Sequence, residues 1–182
     1  ALKARGNVAP KCVHYVAPTV WAYKPKRALK TAHLFDALMV ILPFEPPYFE
    51  PHGLRTVFVG HHIAWWWRDK GDGGAFRTHH GIASAAPVLA LFPGSRNGEI
   101  AKHMPLFRAS IVTLMKTIPA LETVILVRPE NREALDAHTR NWPCPLHIET
   151  NSASKKDAFA SANAALAKSG TVGLECALAQ LP

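Results

Sequence analysis

Two short segments in the second half of the sequence combine residue types that bind phosphate. Pro93-Gly94-Ser95-Arg96 and Lys168-Ser169-Gly170-Thr171 each contain a glycine, a hydroxyl side chain and a cation. Each segment follows a short apolar run and precedes a helical pattern. The unpaired N–H groups and the dipole of a helix start favour anions, and glycine lets the backbone approach a ligand closely. We therefore predict that the two turns hold a diphosphate from two sides, with simple helix capping as the alternative.

A carboxylate follows the second of these turns. Glu175 comes four residues after Thr171, one turn into the helix, where it can accept hydrogen bonds from ribose hydroxyls beside a diphosphate. The predicted binding residues of the second half are therefore Ser95, Arg96, Ser169, Gly170, Thr171 and Glu175.

Several other kinds of site lack their signatures. Neither turn has the GxxxxGK[ST] frame of a P-loop, and the dinucleotide fingerprint GxGxxG and the hydrolase elbow GxSxG are absent. Neighbouring histidines, as in His61-His62 and His79-His80, face opposite ways on an extended chain and rarely ligate one metal. No cysteine and histidine set has zinc spacing. We predict neither a metal nor a cofactor.

The pattern of residues 87–182 predicts alternating strands and helices. Small or apolar runs at 88–92, 123–127, 146–148 and 164–167 are typical of buried strands. Helical patterns follow at 100–118, 130–140 and 172–181, and Ser154 is a candidate cap for a helix that carries Phe159. This alternation predicts a parallel sheet covered by helices, with both phosphate turns at the carboxyl ends of strands, where α/β folds bind ligands.

The first 62 residues show a shorter version of the same alternation. Strand-like runs at 12–16, 37–42 and 56–59 flank a segment that is compatible with a helix after Pro25. Four prolines at 43–51 limit the next segment to a turn and a short helix. Between residues 63 and 86 no period holds, which predicts a linker or an irregular crossing. Its triplet Trp65-Trp66-Trp67 is either an interfacial membrane anchor or a patch that packs against a neighbouring domain.

The charge of +8 and the pI near 9.7 favour anionic partners: nucleic acid, a phosphorylated ligand or an acidic membrane surface. Lys24, Lys26, Arg27 and Lys30 form the one basic cluster, and it is either a solvated face or an anion contact. The three cysteines are widely spaced without a CxxC pair, which favours packed or idle thiols in a reducing compartment. No apolar run reaches the roughly 18 residues that span a bilayer.

Five motifs in the same order and approximate spacing closely resemble the lipid-A-disaccharide synthase family. They are His14-Tyr15-Val16-Ala17-Pro18-Thr19-Val20-Trp21-Ala22-Tyr23, Leu42-Pro43-Phe44-Glu45, Val59-Gly60-His61, Leu91-Phe92-Pro93-Gly94-Ser95-Arg96 with Glu99, and Ser169-Gly170-Thr171 with Leu174-Glu175-Cys176.

The resemblance implies a GT-B glycosyltransferase, an α/β fold of two Rossmann-like parallel-sheet domains, both incomplete in this chain. It implies transfer of 2,3-diacylglucosamine from a UDP donor to 2,3-diacylglucosamine 1-phosphate (lipid X), giving a β-1,6-linked disaccharide and UDP, without a metal. We expect the acceptor domain at 1–62, a linker at 63–86 and the first part of the UDP-sugar domain at 87–182.

The resemblance also implies roles for individual residues. Arg96 would be catalytic, offsetting charge on departing UDP beside Ser95. Ser169, Gly170 and Thr171 would bind the diphosphate, and Glu175 the ribose. Lys24, Lys26 and Arg27 would face the acceptor's phosphate or an acidic membrane, as expected of a cytoplasmic enzyme peripheral on the inner membrane. No nucleic acid is expected as a partner.

The family's proposed catalytic aspartate falls in a motif upstream of Ala1, and a later donor-binding motif falls past Pro182. We therefore expect a central fragment that is inactive alone. Two rival hypotheses stay open: another GT-B enzyme that uses a UDP-sugar, and a non-catalytic module that binds anions or RNA through its positive charge.

Overall fold

The computed structural model describes residues 10–182, and the chain divides into two compact units. The first unit ends at Trp66, and the second runs from Trp67 to Pro182. Each unit is built on a sheet of parallel strands with helices. The predicted α/β class, with two parallel-sheet domains of the Rossmann-like GT-B type, is confirmed.

The first unit has a three-stranded sheet in the order β1-β2-β3. Its elements are β1 (Val13–Tyr15), α1 (Arg27–Leu34), β2 (Ala37–Val40), two 3₁₀ turns (Pro46–Tyr48 and Glu50–His52), β3 (Arg55–Phe58) and α2 (His62–Trp66). The core forms where Leu38 and Val40 of β2 meet Phe49, all three fully buried. Buried Glu45 accepts a hydrogen bond from the Leu42 N–H at 3.0 Å and so closes the turn after β2.

The second unit has a four-stranded parallel sheet in the order β6-β5-β4-β7. Its helices are α3 (Gly73–His80), α4 (Asn97–Leu114), α5 (Arg132–Thr139), α6 (Lys155–Ser161) and α7 (Thr171–Leu178), with 3₁₀ turns at Pro129–Asn131 and Ser152–Ser154. Its strands are β4 (Val88–Phe92), β5 (Glu122–Leu126), β6 (Leu146–Glu149) and β7 (Ala164–Ala167). The predicted alternation is therefore confirmed.

Helix α4 buries its apolar stripe against the sheet. Ile100, Met104, Phe107 and Ile111 recur every three or four residues and are buried in one cluster that also contains the fully buried Leu135 of α5. Burial of each such side chain stabilises the unit by about 1.5–3 kcal/mol. The helix predicted at 100–118 ends four residues too late, because α4 ends at Leu114 and the exposed Ile118 lies beyond it.

The prediction that residues 63–86 are irregular is wrong, because α2 and α3 lie there, whereas the assignment of this segment as a linker stays a prediction. The Asp72 carboxylate accepts a hydrogen bond from the Ala75 N–H at 2.8 Å and caps α3. The Asp72 N–H in turn donates to the Asp157 carboxylate of α6 at 2.7 Å. The helix packs through glycines: a Cβ on Gly73 would lie 2.4 Å from the Ala160 carbonyl oxygen. The packed face of α3 combines Gly73 with the buried Phe76, and one apolar side chain does not make a hydrophobic period, so the apolar pattern did not reveal this helix.

The prediction that Ser154 caps α6 is wrong. The Ser154 hydroxyl forms no capping hydrogen bond to α6, whereas the Asn151 side chain accepts a bond from the Ala153 N–H at 2.9 Å and caps the preceding 3₁₀ turn. The three tryptophans differ in environment: Trp67 packs on Phe159 with ring centroids 4.8 Å apart, whereas Trp65 is 72% exposed.

Candidate functional site

A cavity of about 810 Å³ lies at the carboxyl ends of all four strands of the second sheet. The residues that follow β4, β5, β6 and β7 each line it. All six binding residues predicted from the second half of the sequence lie on its wall: Ser95, Arg96, Ser169, Gly170, Thr171 and Glu175.

The strand order explains why the two phosphate turns meet. The chain runs outward from β4 to β5 and β6, then crosses back so that β7 pairs with the other side of β4. Phe92 is in register with Ala167, and the Lys168 N–H donates to the Phe92 carbonyl at 3.0 Å. The crevice between β4 and β7 is therefore the topological switch point, where open α/β sheets bind their ligands.

The first turn is shaped by a glycine and two hydrogen bonds from other elements. Gly94 has a φ of +131°, and a Cβ there would lie 2.5 Å from the Cβ of Glu99. The buried Asn131 side chain donates to the Ser95 carbonyl at 3.0 Å. His103 Nδ1 lies 2.9 Å from the Pro93 carbonyl. Only glycine accommodates this close approach of the turn to the first turn of α4.

The Glu99 carboxylate lies at the centre of this turn. It accepts a hydrogen bond from the Ser95 N–H at 2.9 Å and lies 3.2 Å from both Arg96 Nη1 and Lys168 Nζ. The Ser95 N–H and then the Lys168 ammonium lower the pKa of Glu99 to about 2, with Arg96 adding to the effect. The site therefore stabilises negative charge with donors from both turns.

Arg96 combines high exposure with a position at the start of α4. Its side chain is 80% exposed, and it is the N-cap residue of a helix whose N-terminus no side chain caps. The guanidinium therefore lies beside the positive end of the helix dipole, where both act on the same anion.

The second turn leads into α7 and places Glu175 at the back of the cavity. Gly170 precedes Thr171, the first residue of α7, and both line the cavity. Glu175 is only 8% exposed, and its Oε1 lies 2.5 Å from Lys155 Nζ. A carboxylate with this burial needs a charged partner, and Lys155 supplies it.

Sequence reasoning missed part of the cavity wall. Arg128, Glu149, Asn151 and Lys155 also line it. Arg128 follows β5, and the other three lie at or after the end of β6, so the rule that ligands bind at the carboxyl ends of strands was the available signal. No motif marks them, because polar residues after a strand are common in any α/β fold.

Comparisons with known proteins place the chain in a family. A model of the family described as lipid-A-disaccharide synthetase matches residues 1–182. The chain is similar to lipid-A-disaccharide synthases of Rhodospirillum centenum (48% identity, covering 98% of the chain and 44% of the relative) and Paramagnetospirillum magneticum (41%, covering 100% and 46%). The chain belongs to the lipid-A-disaccharide synthase family. It spans about half the length of these curated relatives.

The motifs that carried the resemblance to the lipid-A-disaccharide synthase family lie in both units. The last two motifs form the switch-point turns of the second unit, and the first three lie around the carboxyl ends of β1, β2 and β3. Phe44 packs edge-on against Trp21 with ring centroids 5.4 Å apart, which joins the first two motifs.

The basic cluster of the first unit is exposed but does not form one site. Lys24 Nζ lies 4.9 Å above the ring of Tyr23, and Lys26 precedes α1. Arg27 and Lys30 line a groove of about 330 Å³ beside the carboxyl end of β1. Of the three residues predicted to face an acceptor or a membrane, the structure brings only Arg27 to this groove.

The described residues show no metal site, no membrane-spanning helix and, at Cys144 and Cys176, no activated thiol. Among residues 10–182 no cluster of three or more histidine, cysteine or acidic side chains could hold a metal ion. Burial raises the pKa of the Cys144 and Cys176 thiols, which is typical of packed, unreactive cysteines. Within the same residues, no helix combines the length and apolar character of a bilayer crossing.

Proposed function

We propose that this chain binds the UDP moiety of a lipid sugar donor and belongs to an enzyme of lipid A biosynthesis. The reaction transfers 2,3-diacylglucosamine from UDP to 2,3-diacylglucosamine 1-phosphate and forms a disaccharide 1-phosphate and UDP. In this proposal residues 1–62 belong to the domain that binds the acceptor, and residues 87–182 belong to the domain that binds the donor. Residues 63–86 link the two domains. Membership of the lipid-A-disaccharide synthase family supports this assignment.

One observation carries the proposal: the turns after β4 and β7 meet at the switch point of the second sheet and share one carboxylate. Glu99 takes donors from both turns, so both turns reach the same anion. A diphosphate has the size and charge to contact both sides of such a crevice, with Ser95 on one side and Ser169, Gly170 and Thr171 on the other.

The side chains of the cleft suit a departing nucleoside diphosphate. Among the described residues of its wall, four cations face three carboxylates, and two of those carboxylates already pair with lysines. Arg96 keeps an exposed guanidinium that offsets the charge developing on UDP as the sugar bond breaks. Because the helix starts and the side chains supply this stabilisation, the proposal invokes no metal.

The acceptor and the membrane belong to the first unit in this proposal. Lys24, Lys26 and Arg27 are exposed cations that face the acceptor's phosphate or the anionic inner-membrane surface, to which the protein binds peripherally from the cytoplasm. The groove beside Arg27 and Lys30 supports an anionic contact at this surface.

Titration with UDP tests the donor site. We expect UDP to bind, and Arg96→Ala to raise the Kd roughly tenfold or more, because a charge-assisted hydrogen bond contributes about 1.5–3 kcal/mol. Arg132→Ala removes an exposed arginine of α5 that does not line the cavity, and it should leave the Kd unchanged.

Titration with an oligonucleotide of the same charge as UDP tests the alternative that the chain binds nucleic acid. Strong oligonucleotide binding that weakens steeply with salt, without any response to UDP, would overturn the proposal in favour of a nucleic-acid-binding module. Equal UDP affinity of wild type and Arg96→Ala would remove Arg96 from the site while leaving the two turns in place.

A further inference from the structure

A lysine and a glutamate, Lys155 and Glu175, form an ion pair in the wall of the cavity. Lys155 is the first residue of α6, and Glu175 lies in α7. Both line the cavity, with side chains 30% and 11% exposed, and Nζ lies 2.5 Å from Oε1. The two elements come from opposite sides of β4 in the sheet order, one following β6 and the other β7.

The lysine is itself held in place. Nζ lies 5.9 Å from the ring centroid of Phe159, one helical turn further along α6. Phe159 is buried against Trp67 and Phe92 with ring centroids 4.8 Å apart in both cases. The Lys155 ammonium lies between the Phe159 ring and the Glu175 carboxylate, which restricts the rotation of the lysine side chain. A lysine fixed in this way holds the Glu175 carboxylate in one orientation.

A carboxylate that accepts one lysine bond keeps acceptor capacity, because its two oxygens offer about four lone-pair sites. Glu175 lines the cavity with its remaining surface, next to the turn at Gly170 and Thr171. Two vicinal hydroxyls can donate to the two oxygens of one carboxylate only when that carboxylate is held in a suitable orientation.

We propose that Lys155 is the positioning residue of a ribose subsite, holding the Glu175 carboxylate in the orientation that accepts the ribose hydroxyls. This inference rests on the proposed function, since it assumes that a nucleoside diphosphate enters the cavity. Lys155 acts through Glu175 and contributes selectivity for ribose over deoxyribose.

The test measures the ratio of two dissociation constants, for UDP and for 2′-deoxy-UDP. Wild type should prefer UDP roughly tenfold or more, because the deoxy ligand loses a hydrogen bond to a charged group. Lys155→Met should reduce the preference to below about threefold, and Lys155→Arg should restore most of it. A purely electrostatic role would weaken both ligands equally and leave the ratio unchanged, which would overturn the inference.

A double-mutant cycle separates Lys155 from Glu175. Glu175→Gln should lower the preference, and adding Lys155→Met to it should cause no further loss, since both residues act in one contact. Additive losses would show that Lys155 contacts the ligand independently and would overturn the positioning role. Lys102→Met, at an exposed position of α4 outside the cavity, is the control and should keep the wild-type ratio.

The binding of UDP and 2′-deoxy-UDP to wild type distinguishes failure of the inference from failure of the proposed function. If wild type binds neither UDP nor 2′-deoxy-UDP, the proposed function falls and the inference with it. If wild type binds both equally, the diphosphate site stands and the ribose subsite is wrong. Inorganic pyrophosphate, titrated into each variant, reports whether the turns remain folded, because it lacks the ribose.

Discussion

Lys168 Nζ lies 3.2 Å from Glu99 Oε1, so an ion pair joins the turn after β7 to the first turn of α4. The same carboxylate accepts the Ser95 N–H, and Arg96 lies 3.2 Å away. An internal carboxylate thus occupies the point where donors from both turns converge. A ligand phosphate that enters the cleft must share or replace these contacts, which makes Glu99 the most direct probe of the turn's electrostatics.

Glu99→Gln should change the pH dependence of stability. Since the folded-state pKa of Glu99 lies near 2, below its ordinary 4.5, its ionised form stabilises the protein above pH 4.5. This stabilisation is lost as the pH falls from 4.5 towards 2. The difference in the free energy of unfolding between wild type and Glu99→Gln should therefore be constant near neutral pH, shrink between about pH 4.5 and pH 2, and reach its minimum below pH 2.

Urea denaturation at several pH values measures that difference. Lys168→Met removes one cationic partner of Glu99 and should reproduce part of the effect. A wild-type advantage of equal size at pH 7 and pH 2 would show that Glu99 acts through packing rather than charge.

Gly94→Ala should disrupt the first turn, whereas Gly98→Ala should not. A Cβ on Gly94 would lie 2.5 Å from the Glu99 Cβ at a φ of +131°, whereas a Cβ on Gly98 meets nothing within 4 Å. We expect Gly94→Ala to cost about 1–3 kcal/mol of stability and to weaken UDP binding. Gly98→Ala should stabilise α4 by up to about 1 kcal/mol. Calorimetric unfolding and UDP titration of both variants check this pair, and equal behaviour would contradict it.

Gly73→Ala and Gly74→Ala test whether α3 is part of the second unit. A Cβ on Gly73 would lie 2.4 Å from the Ala160 carbonyl oxygen, whereas at Gly74 the nearest atom is a side-chain oxygen of Asp72 at 3.4 Å. Backbone cannot move aside cheaply, so Gly73→Ala should lower the free energy of unfolding by about 1–3 kcal/mol. Gly74→Ala should be neutral or stabilising. Hydrogen exchange of the α6 amides should accelerate only in the first variant; unchanged exchange would argue against this packing.

Anionic vesicles test the basic cluster of the first unit. Each Lys or Arg near such a surface contributes about 1 kcal/mol, roughly fivefold in affinity. Reversing the charge at Lys24, Lys26 and Arg27 together should therefore abolish retention that is sensitive to salt. Reversing three exposed cations of the second unit, at Lys102, Lys116 and Arg132, gives the same change in net charge and should reduce retention much less. Retention that persists in high salt would assign binding to the exposed Trp65 and Trp66 instead.

Sequence reasoning worked best where one physical rule dominates. The apolar stripe of α4 follows from a helical period and the strand β4 from a continuous apolar run, and both elements form where such patterns were found. The stripe ended too late because Ile118 continues the period without continuing the helix. Helix α3 was missed because it packs through Gly73 and the single buried Phe76, which together give no hydrophobic period.

Residue types and short-range spacing were enough to predict the two parallel-sheet units and the two turns that carry a glycine, a hydroxyl side chain and a cation. These are local properties, set by residue type and by spacing within a few positions. The pairing of β7 with β4, which brings Lys168 to Glu99, became visible only in the folded protein. The same holds for the approach of α6 to α7, which brings Lys155 to Glu175. Strand order depends on contacts between residues far apart in the chain, and no local pattern encodes them.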